Sequence, residues 1–205
     1  MLHFITVDKN TYRLIQQIFT ITIIKNNFAL AGGTSLALQI GHRQSIDLDF
    51  FSTGIFDVKE LEIILTESDK FNFEYIGNNS RMLFGLINNI KCDFINEPAT
   101  LIKPFLITEG VSYFSIPDIA AMKLHTICGR GKKKDFFDIY ALLQVYSWEK
   151  LLEWFLKKYS QSQLFFLQRS ILYFEDAEND PDIRGYPPFI KSWKEIKNFI
   201  TDTCS

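Results

Sequence analysis

The chain has 205 residues, 47% of them hydrophobic and 22% charged, a composition typical of a globular protein and not of a disordered tail. Its 22 basic and 24 acidic residues leave a formal charge of −2, which argues against a protein that tracks polyanions over its whole surface. Twenty Phe residues raise the aromatic share to 15%, and composition does not decide between a bulky core and platforms for bases.

The cysteines and the N-terminus predict a cytoplasmic protein. Cys92, Cys128 and Cys204 are an odd number in a chain too large to need disulfides, so we interpret them as free thiols in a reducing compartment. The N-terminus lacks the basic region and the cleavage site of a signal peptide. The most apolar stretch near it, 15–31, is interrupted by polar residues, and we therefore expect no membrane helix.

The first half of the chain predicts a mixture of helices and strands. In chain order the predicted elements are a helix over 8–27, a strand over 28–31, a Gly-Gly turn, a helix over 35–40 with Thr34 as its N-cap, an extended segment over 45–51, a helix over 57–68, and strands over 71–76, 81–87 and 90–95. Asn88 and Asn89 indicate a tight turn between the last two strands.

The second half is predicted to be helical. Its predicted helices are 117–128, 134 or 135 to 146, 148–159, 161–174 and a last one marked by Phe189, Trp193, Ile196 and Ile200, with an irregular stretch over 175–188. The sequence therefore predicts an α+β fold. We divide it into an α/β core over residues 1–116 and a helical domain over 117–205 that completes the site.

Two aspartates form the sharpest feature of the sequence. Asp47 and Asp49 lie two residues apart in an apolar extended segment and therefore project on the same side of one strand. Adjacent carboxylates repel each other unless a cation joins them, and oxygen ligands suit Mg²⁺. The alternative interpretation is the polar face of a half-exposed strand.

Three further residues support a site for phosphate and metal. Gly32 and Gly33 lie between a strand and a helix N-terminus, whose free backbone N–H groups bind phosphate, although a simple tight turn is the alternative. Asp93 occupies a strand that could lie beside the Asp47 strand. Three converging carboxylates would hold two metal ions, and Asp93 could accept a proton from an attacking hydroxyl, unless it is merely exposed on an edge strand.

The region after residue 117 supplies positive charge. Lys123 falls within the apolar stripe of its helix and therefore needs either an anion or a route to solvent. Together with Arg130 it is a candidate for binding a triphosphate. Asp135 is placed to cap the next helix, and Asp138 lies on an apolar helix where it needs a partner such as Lys123 or acts on a proton or an acceptor.

These residues give the sequence its resemblance to a known family. The segments "FALAGGTSLALQIGHRQSIDLDFF" (28–51), "KLHTICGRGKKKDFFDIYALL" (123–143) and "LYFEDAENDP" (172–181) resemble the nucleotidyltransferases of AbiEii/AbiGii-type toxins from abortive-infection and type IV toxin–antitoxin systems. The first segment is also similar to that of the wider polymerase-β-like nucleotidyltransferases, whereas the role of the third is undefined.

The resemblance implies a minimal polymerase-β-like domain joined to a helical domain, Mg²⁺ dependence and transfer of a nucleotide from an NTP. Residue by residue it implies phosphate binding by Gly32, Gly33, Thr34, Lys123 and Arg130, and metal binding by Asp47 and Asp49. It also implies a catalytic role for Asp138 together with Asp135, while Asp93 matches the superfamily's third carboxylate only by strand order.

The sequence hypothesis is thus a Mg²⁺-dependent nucleotidyltransferase that adds an NMP to RNA, such as tRNA, or to protein. The resemblance further implies a toxin with a genetically linked antitoxin that forms no stable complex with it. Two alternatives remain open: an antibiotic-modifying nucleotidyltransferase with a small hydroxyl acceptor, and a non-catalytic module that binds an NTP or a partner.

Overall fold

Seven strands form one mixed sheet at the centre of the computed structural model, which describes residues 2–205. The strands are β1 (Ala29–Ala31), β2 (Leu48–Ser52), β3 (Phe73–Asn79), β4 (Met82–Ile87), β5 (Ile90–Asn96), β6 (Leu106–Thr108) and β7 (Val111–Tyr113). Their order across the sheet is β3-β4-β5-β2-β1-β7-β6. β2 is parallel to β5 and antiparallel to β1, so the strands that carry the predicted carboxylates are direct neighbours.

Nine α-helices accompany the sheet within the same residues. They are α1 (Lys9–Ile18), α2 (Thr22–Asn27), α3 (Gly32–Ile40), α4 (Val58–Thr66), α5 (Ile116–Gly129), α6 (Lys133–Leu143), α7 (Trp148–Lys158), α8 (Ser162–Ser170) and α9 (Trp193–Cys204). The predicted α+β architecture, with helices following a mixed sheet, is confirmed. The division at residues 116 and 117 stays a prediction. Over the part of the chain that the structure describes, no helix combines the length and hydrophobicity needed to cross a bilayer.

The two faces of the sheet pack against different helices. Leu48, Phe50 and Phe94 point into a core shared with α1, α2 and α4, where Phe50 stacks on Phe94 at a centroid distance of 4.9 Å. Because side chains alternate along a strand, the residues between them, including Asp49 and Asp93, face the opposite side. That side is covered by the C-terminal helices, and the sheet thereby presents its carboxylates to α5 and α6.

The predicted helix over 8–27 is wrong in one respect, because it is broken into α1 and α2. Thr20 Oγ1 donates a hydrogen bond to the carbonyl of Gln17 at 2.7 Å, and Ile21 is extended with φ −77° and ψ 122°. A side chain that binds the preceding backbone competes with helix continuation. The break lets Ile18 and Ile24 both be fully buried in the same core.

Three further expectations need correction. Thr34 does not cap α3, which begins earlier, at Gly32. Strands β6 and β7 were not predicted, because each has three residues and is too short for a period-two pattern. The last helix begins at Trp193 rather than near Phe189, after a capping box between Ser192 and Glu195.

Candidate active site

A cleft of about 520 Å³ opens between the sheet and the start of α6. One wall is the extended segment that leads into and forms β2. Every second residue of this segment lines the cleft, namely Arg43, Ser45, Asp47, Asp49 and Phe51. The opposite wall comes from α5, α6 and the loop between them. The alternation of a single strand therefore places a cation, a hydroxyl and two carboxylates on one surface.

Asp49 and Asp93 lie side by side on neighbouring parallel strands. They are register partners in the pairing of β2 with β5, and both line the cleft. Asp93 is only 7% exposed, and its Oδ1 atom has no hydrogen-bond partner within residues 2–205. Burial raises the pKa of Asp49, and the nearby carboxylates of Asp93 and Asp47 raise it further, against the opposing charge of Lys123.

Two lysines pair with these carboxylates. Lys91 Nζ lies 2.6 Å from Asp93 Oδ2, and Lys134 Nζ lies 3.1 Å from Asp47 Oδ2. The Lys91 and Lys134 side chains are 50% and 39% exposed, and the Asp47 side chain is 42% exposed, whereas that of Asp93 is 10% exposed. The Lys134–Asp47 pair is thus an exposed ion pair, which contributes little free energy.

The carboxylates suit a hard divalent cation by their chemistry. All three supply oxygen ligands, and the buried Asp93 Oδ1 lacks any other partner in the described chain. As the side chains stand, however, no three His, Cys, Asp or Glu residues among 2–205 converge closely enough to hold a metal ion. Lys91 and Lys134 bind two of the three carboxylates. A Mg²⁺ ion bound by Asp47, Asp49 and Asp93 would therefore compete with Lys91 and Lys134 for two of the carboxylates.

The Gly-Gly turn is packed directly against charged side chains. Gly32 has φ +64°, and a Cβ atom built on it would lie 2.0 Å from Asp49 Oδ2. A Cβ on Gly33 would lie 2.3 Å from Arg43 Nη2. No other residue fits at either position without displacing a carboxylate or a guanidinium group. The first N–H groups of α3, which have no partner within the helix, begin at this turn.

Thr34 lies away from the cleft. Its side chain is fully buried, and its hydroxyl hydrogen-bonds to the backbone carbonyl of Asp47 and to Ser45 Oγ, the latter at 2.9 Å. Ser45 is the hydroxyl residue that lines the cleft. Thr34 thus links α3 to the segment before β2 by hydrogen bonds. Its hydroxyl does not reach the cleft where a phosphate would bind.

Behind the cleft lies a buried cluster of charges formed by His42, Arg43, Lys123, Asp135 and Asp138. Lys123 Nζ lies 2.9 Å from Asp135 Oδ1 and 2.6 Å from Asp138 Oδ2. Arg43 binds both oxygens of Asp138, through Nε at 2.6 Å and Nη2 at 3.0 Å. His42 Nε2 lies 2.7 Å from Asp138 Oδ1. Asp138 is fully buried and is not among the residues that line the cleft, whereas Asp135 is.

The buried cluster is electrostatically matched. Burial raises the pKa of Asp138, but Arg43, Lys123 and His42 outweigh it and hold that pKa well below its usual range. Burial lowers the pKa of Lys123, yet Asp138 and Asp135 more than compensate, and the pKa is raised. Burial lowers the pKa of His42 against the pull of Asp138. Lys123, Arg43 and Asp138 are therefore charged at neutral pH, and His42 is neutral.

The structure brings most of the predicted site residues together. Eight of them line the cleft: Gly32, Gly33, Asp47, Asp49, Asp93, Lys123, Arg130 and Asp135. Thr34 and Asp138 are buried beside it. Asp135 is not the predicted N-cap, because α6 already begins at Lys133, and its carboxylate binds Lys123 instead.

The sequence analysis missed several residues that line the cleft. Arg43 and Ser45 continue the alternation of Asp47 and Asp49 toward the N-terminus, and that period-two pattern was the signal available for them. Lys91 lies two residues before Asp93 and hence on the same face of β5. Lys132 and Lys134 follow Arg130 within a few residues, and this cluster of positive charge was the signal available for them.

The comparisons with known proteins agree with this geometry. Residues 13–200 match the sequence model described as "Nucleotidyl transferase AbiEii toxin, Type IV TA system". An uncharacterised protein of Aquifex aeolicus (strain VF5) is 34% identical over 189 residues, which span 86% of each chain.

Two solved structures share the fold at low sequence identity. JHP933 from Helicobacter pylori is 17% identical with a TM-score of 0.56, over 97% of this chain and 91% of that one. The nucleotidyltransferase toxin MenT4 of Mycobacterium tuberculosis is 13% identical with a TM-score of 0.53, over 95% and 87% of the two chains. The family match covers nearly the whole chain, including the cleft and the cluster behind it. The protein therefore belongs to the AbiEii nucleotidyl transferase toxin family of type IV toxin–antitoxin systems, and it is a nucleotidyltransferase.

Proposed function

We propose that the protein is a Mg²⁺-dependent toxin that transfers a nucleoside monophosphate from an NTP to a hydroxyl group of an RNA, such as tRNA, or of a protein. The observation that carries the proposal is the pairing of Asp49 with Asp93 on adjacent strands, across a cleft from Lys123. Acidic metal ligands opposite a cation are what transfer of a phosphoryl group requires, because charge develops on both sides of the reacting phosphorus.

The phosphates of the NTP would lie on the basic side of the cleft. The turn at Gly32 and Gly33 offers backbone N–H groups at the start of α3, and Lys123 supplies a fixed charge. Arg130 is exposed at the edge of the cleft, where its side chain is free to reach the β- and γ-phosphates. We add Arg43 to this set, because its guanidinium group lies against Gly33 in the cleft wall.

In the proposed reaction the acceptor oxygen forms a bond to the α-phosphorus, and the bond between the α-phosphorus and the bridging oxygen breaks to release pyrophosphate. We assign the proton of the acceptor hydroxyl to Asp93, because it lies beside Asp49 on the neighbouring strand and its Oδ1 atom has no hydrogen-bond partner in the described chain. Two Mg²⁺ ions held by Asp47, Asp49 and Asp93 would neutralise the charge that develops on the phosphate oxygens.

We assign Asp138 a positioning role, although the resemblance implied a catalytic one. Its carboxylate is fully buried and saturated by Arg43, Lys123 and His42. It therefore holds the two cations of the phosphate site in place and does not touch the reactants. Asp135 lines the cleft and binds the same Lys123 from the other side.

The biological setting follows from the family in its coarse features. A type IV toxin–antitoxin family implies an antitoxin partner and an NTP substrate. We propose that the antitoxin acts without forming a stable protein complex with this chain, as the resemblance suggested.

The test is a transfer assay with radiolabelled NTPs, Mg²⁺ and total cell extract. We expect label to appear in an acceptor, and we expect the Asp47→Ala/Asp49→Ala variant to lose on the order of 10³-fold or more of the rate. The exposed carboxylates of Asp69 and Asp202 provide the matched control, as Asp69→Ala/Asp202→Ala. Digestion of the product with ribonuclease or protease identifies the acceptor. Transfer that survives in the cleft variant would overturn the proposal.

A further inference from the structure

The segment over residues 172–181, here called the acidic segment, returns to the start of α6 on the side away from the cleft. Asp180 Oδ2 accepts a hydrogen bond from the backbone N–H of Lys133, the first residue of α6, at 2.9 Å. Lys133 Nζ donates to the backbone carbonyl of Asp180 at 2.6 Å and lies 3.1 Å from Asp182 Oδ1. Lys133 is only 6% exposed. One lysine thus anchors the start of α6 to this segment.

Three consecutive lysines at the start of α6 face two different sides of the helix. Lys132 and Lys134 both line the cleft, whereas Lys133, between them, is buried against the acidic segment. Lys133 and Lys134 are consecutive in the first turn of α6 and therefore point in different directions around the helix axis, and the extended Lys132 precedes them. Holding Lys133 against the acidic segment leaves Lys132 and Lys134 at the cleft. Arg130, in the same loop, also lines the cleft.

The acidic segment is itself firmly held. Ala177 is fully buried, and Phe174 packs on Phe136 of α6 at a centroid distance of 4.9 Å. Glu178 accepts a hydrogen bond from Trp193 Nε1 of α9 at 3.1 Å and pairs with Lys197. Because the segment is fixed to both α6 and α9, it provides a rigid support for the loop that carries the basic side chains.

We propose that Asp180 and Lys133 are positioning residues that set the affinity of the cleft for the triphosphate of an NTP. They fix the first turn of α6 and the loop that precedes it, so that Arg130, Lys132 and Lys134 face the bound phosphates without a further ordering cost when the ligand binds. The inference rests on the proposed function, since it takes the cleft as the NTP site. The inference assigns the acidic segment, which is the third segment of the family resemblance, the role of positioning the start of α6.

The sign of the effect separates positioning from simple electrostatics. Asp180 carries a negative charge on the side of α6 away from the cleft, so removing its charge alone would leave NTP binding unchanged or strengthen it. Loss of the anchor, in contrast, frees the basic loop and weakens binding. Asp180→Ala is therefore expected to raise the dissociation constant for the NTP, against the direction that its charge predicts.

The experiment measures binding of labelled ATP, CTP, GTP and UTP by equilibrium dialysis, together with kcat and KM for transfer. For the nucleotide that wild type binds, we expect Asp180→Ala and Lys133→Met each to raise Kd and KM about 5- to 10-fold, with kcat changed less than about twofold. Asp180→Asn keeps an oxygen acceptor and is expected to restore most of the affinity. Asp176→Ala is the matched control, because Asp176 is exposed in the same segment and its side chain makes no hydrogen bond within residues 2–205.

The outcomes separate the two proposals. An unchanged or lower Kd in Asp180→Ala overturns the inference, even if the thermal midpoint falls, and so does an equal rise in Asp176→Ala. If Asp180→Ala does not fold, an unchanged Kd in Lys133→Met overturns it as well. Wild-type protein that binds an NTP but transfers no label contradicts the proposed function alone, because the ratio of Kd values still tests the anchor.

Discussion

Two groups of carboxylates lie at the cleft, and they differ in burial and in the partners that they bind. The cleft carboxylates, Asp47, Asp49 and Asp93, have either exposed lysine partners or none. The carboxylates of the buried cluster, Asp135 and Asp138, are 1% and 0% exposed and bind buried cations at 2.6 to 3.0 Å. The first group therefore has weakly held carboxylates. In the second group Asp138 is contacted by Arg43, Lys123 and His42, and Asp135 is held by Lys123 through Oδ1 alone.

Under the proposed function, this difference separates the groups that contact metal and substrate from the groups that support them. A buried charge that loses its partner is costly, so the buried cluster must stay intact for the protein to fold. An exposed pair costs little to break, so under the proposed function Lys134 releases Asp47, and the half-exposed Lys91 moves into solvent, when a substrate or a metal binds. Sequence motifs alone do not reveal the distinction, because an aspartate looks the same in both settings.

The largest expected effect on stability comes from Asp138→Asn. The change leaves Arg43 and Lys123 without their shared counter-charge, and we expect it to lower the free energy of unfolding by about 3 to 5 kcal/mol, as measured by urea titration. Asp49→Asn should instead leave the unfolding free energy unchanged or raise it, because burial raises the pKa of Asp49 and its charged form is therefore disfavoured in the folded state at neutral pH.

Equal destabilisation by Asp138→Asn and Asp49→Asn would contradict the distinction between the two groups of carboxylates. The transfer assay tests the same distinction through activity. Asp49→Asn is expected to abolish transfer in a stable protein, whereas Asp138→Asn is expected to lower transfer and stability together.

A smaller effect is expected at the Gly-Gly turn. The Cβ atom of Gly33→Ala would lie 2.3 Å from Arg43 Nη2 and must displace the guanidinium group from the cleft wall. We expect a loss of about 1 to 2 kcal/mol in unfolding free energy and, if the displaced guanidinium contacts phosphate, about a tenfold weaker binding of the NTP. Gly54→Ala is the control, since nothing lies within 4 Å of its Cβ position. Unaltered NTP binding in Gly33→Ala would show that Arg43 plays no part in the phosphate site.

The smallest effect is a pH dependence that arises from His42. Burial lowers the pKa of His42 below its ordinary value of 6.5 in the folded protein, so only the unfolded chain gains this proton as the pH falls through 6.5. Stability from this group is therefore present above pH 6.5 and declines below it, by at most about 1.4 kcal/mol per pH unit. Urea titrations between pH 7.5 and 5.5 should show a steeper decline for wild type than for His42→Gln. Parallel curves would exclude a buried, neutral His42.

Much of the site could be inferred from the chain because its residues fall in three short stretches, 32–51, 91–95 and 119–135. Asp47 and Asp49 lie in one extended segment, and alternation alone places them on one face. Lys123 lies within an apolar helical stripe, and its need for an anion is met by Asp138, as the pattern suggested. The sequence did not predict the short strands β6 and β7 or the break after α1. Their local patterns are too short or too weak, and tertiary packing decides the conformation there.

By itself, the sequence determined the α+β architecture through its local periodicity, and the resemblance of its segments indicated the family and eight of the residues that line the cleft. Only the tertiary structure decided which charges face the cleft and which lie behind it. Asp138 and Asp49 occupy similar apolar surroundings in sequence, yet one is enclosed by Arg43 and Lys123 from distant segments, and the other is left at the surface of the cleft. The physical reason is that burial and pairing depend on contacts between residues far apart in the chain, and those contacts set the protonation and the freedom of each carboxylate.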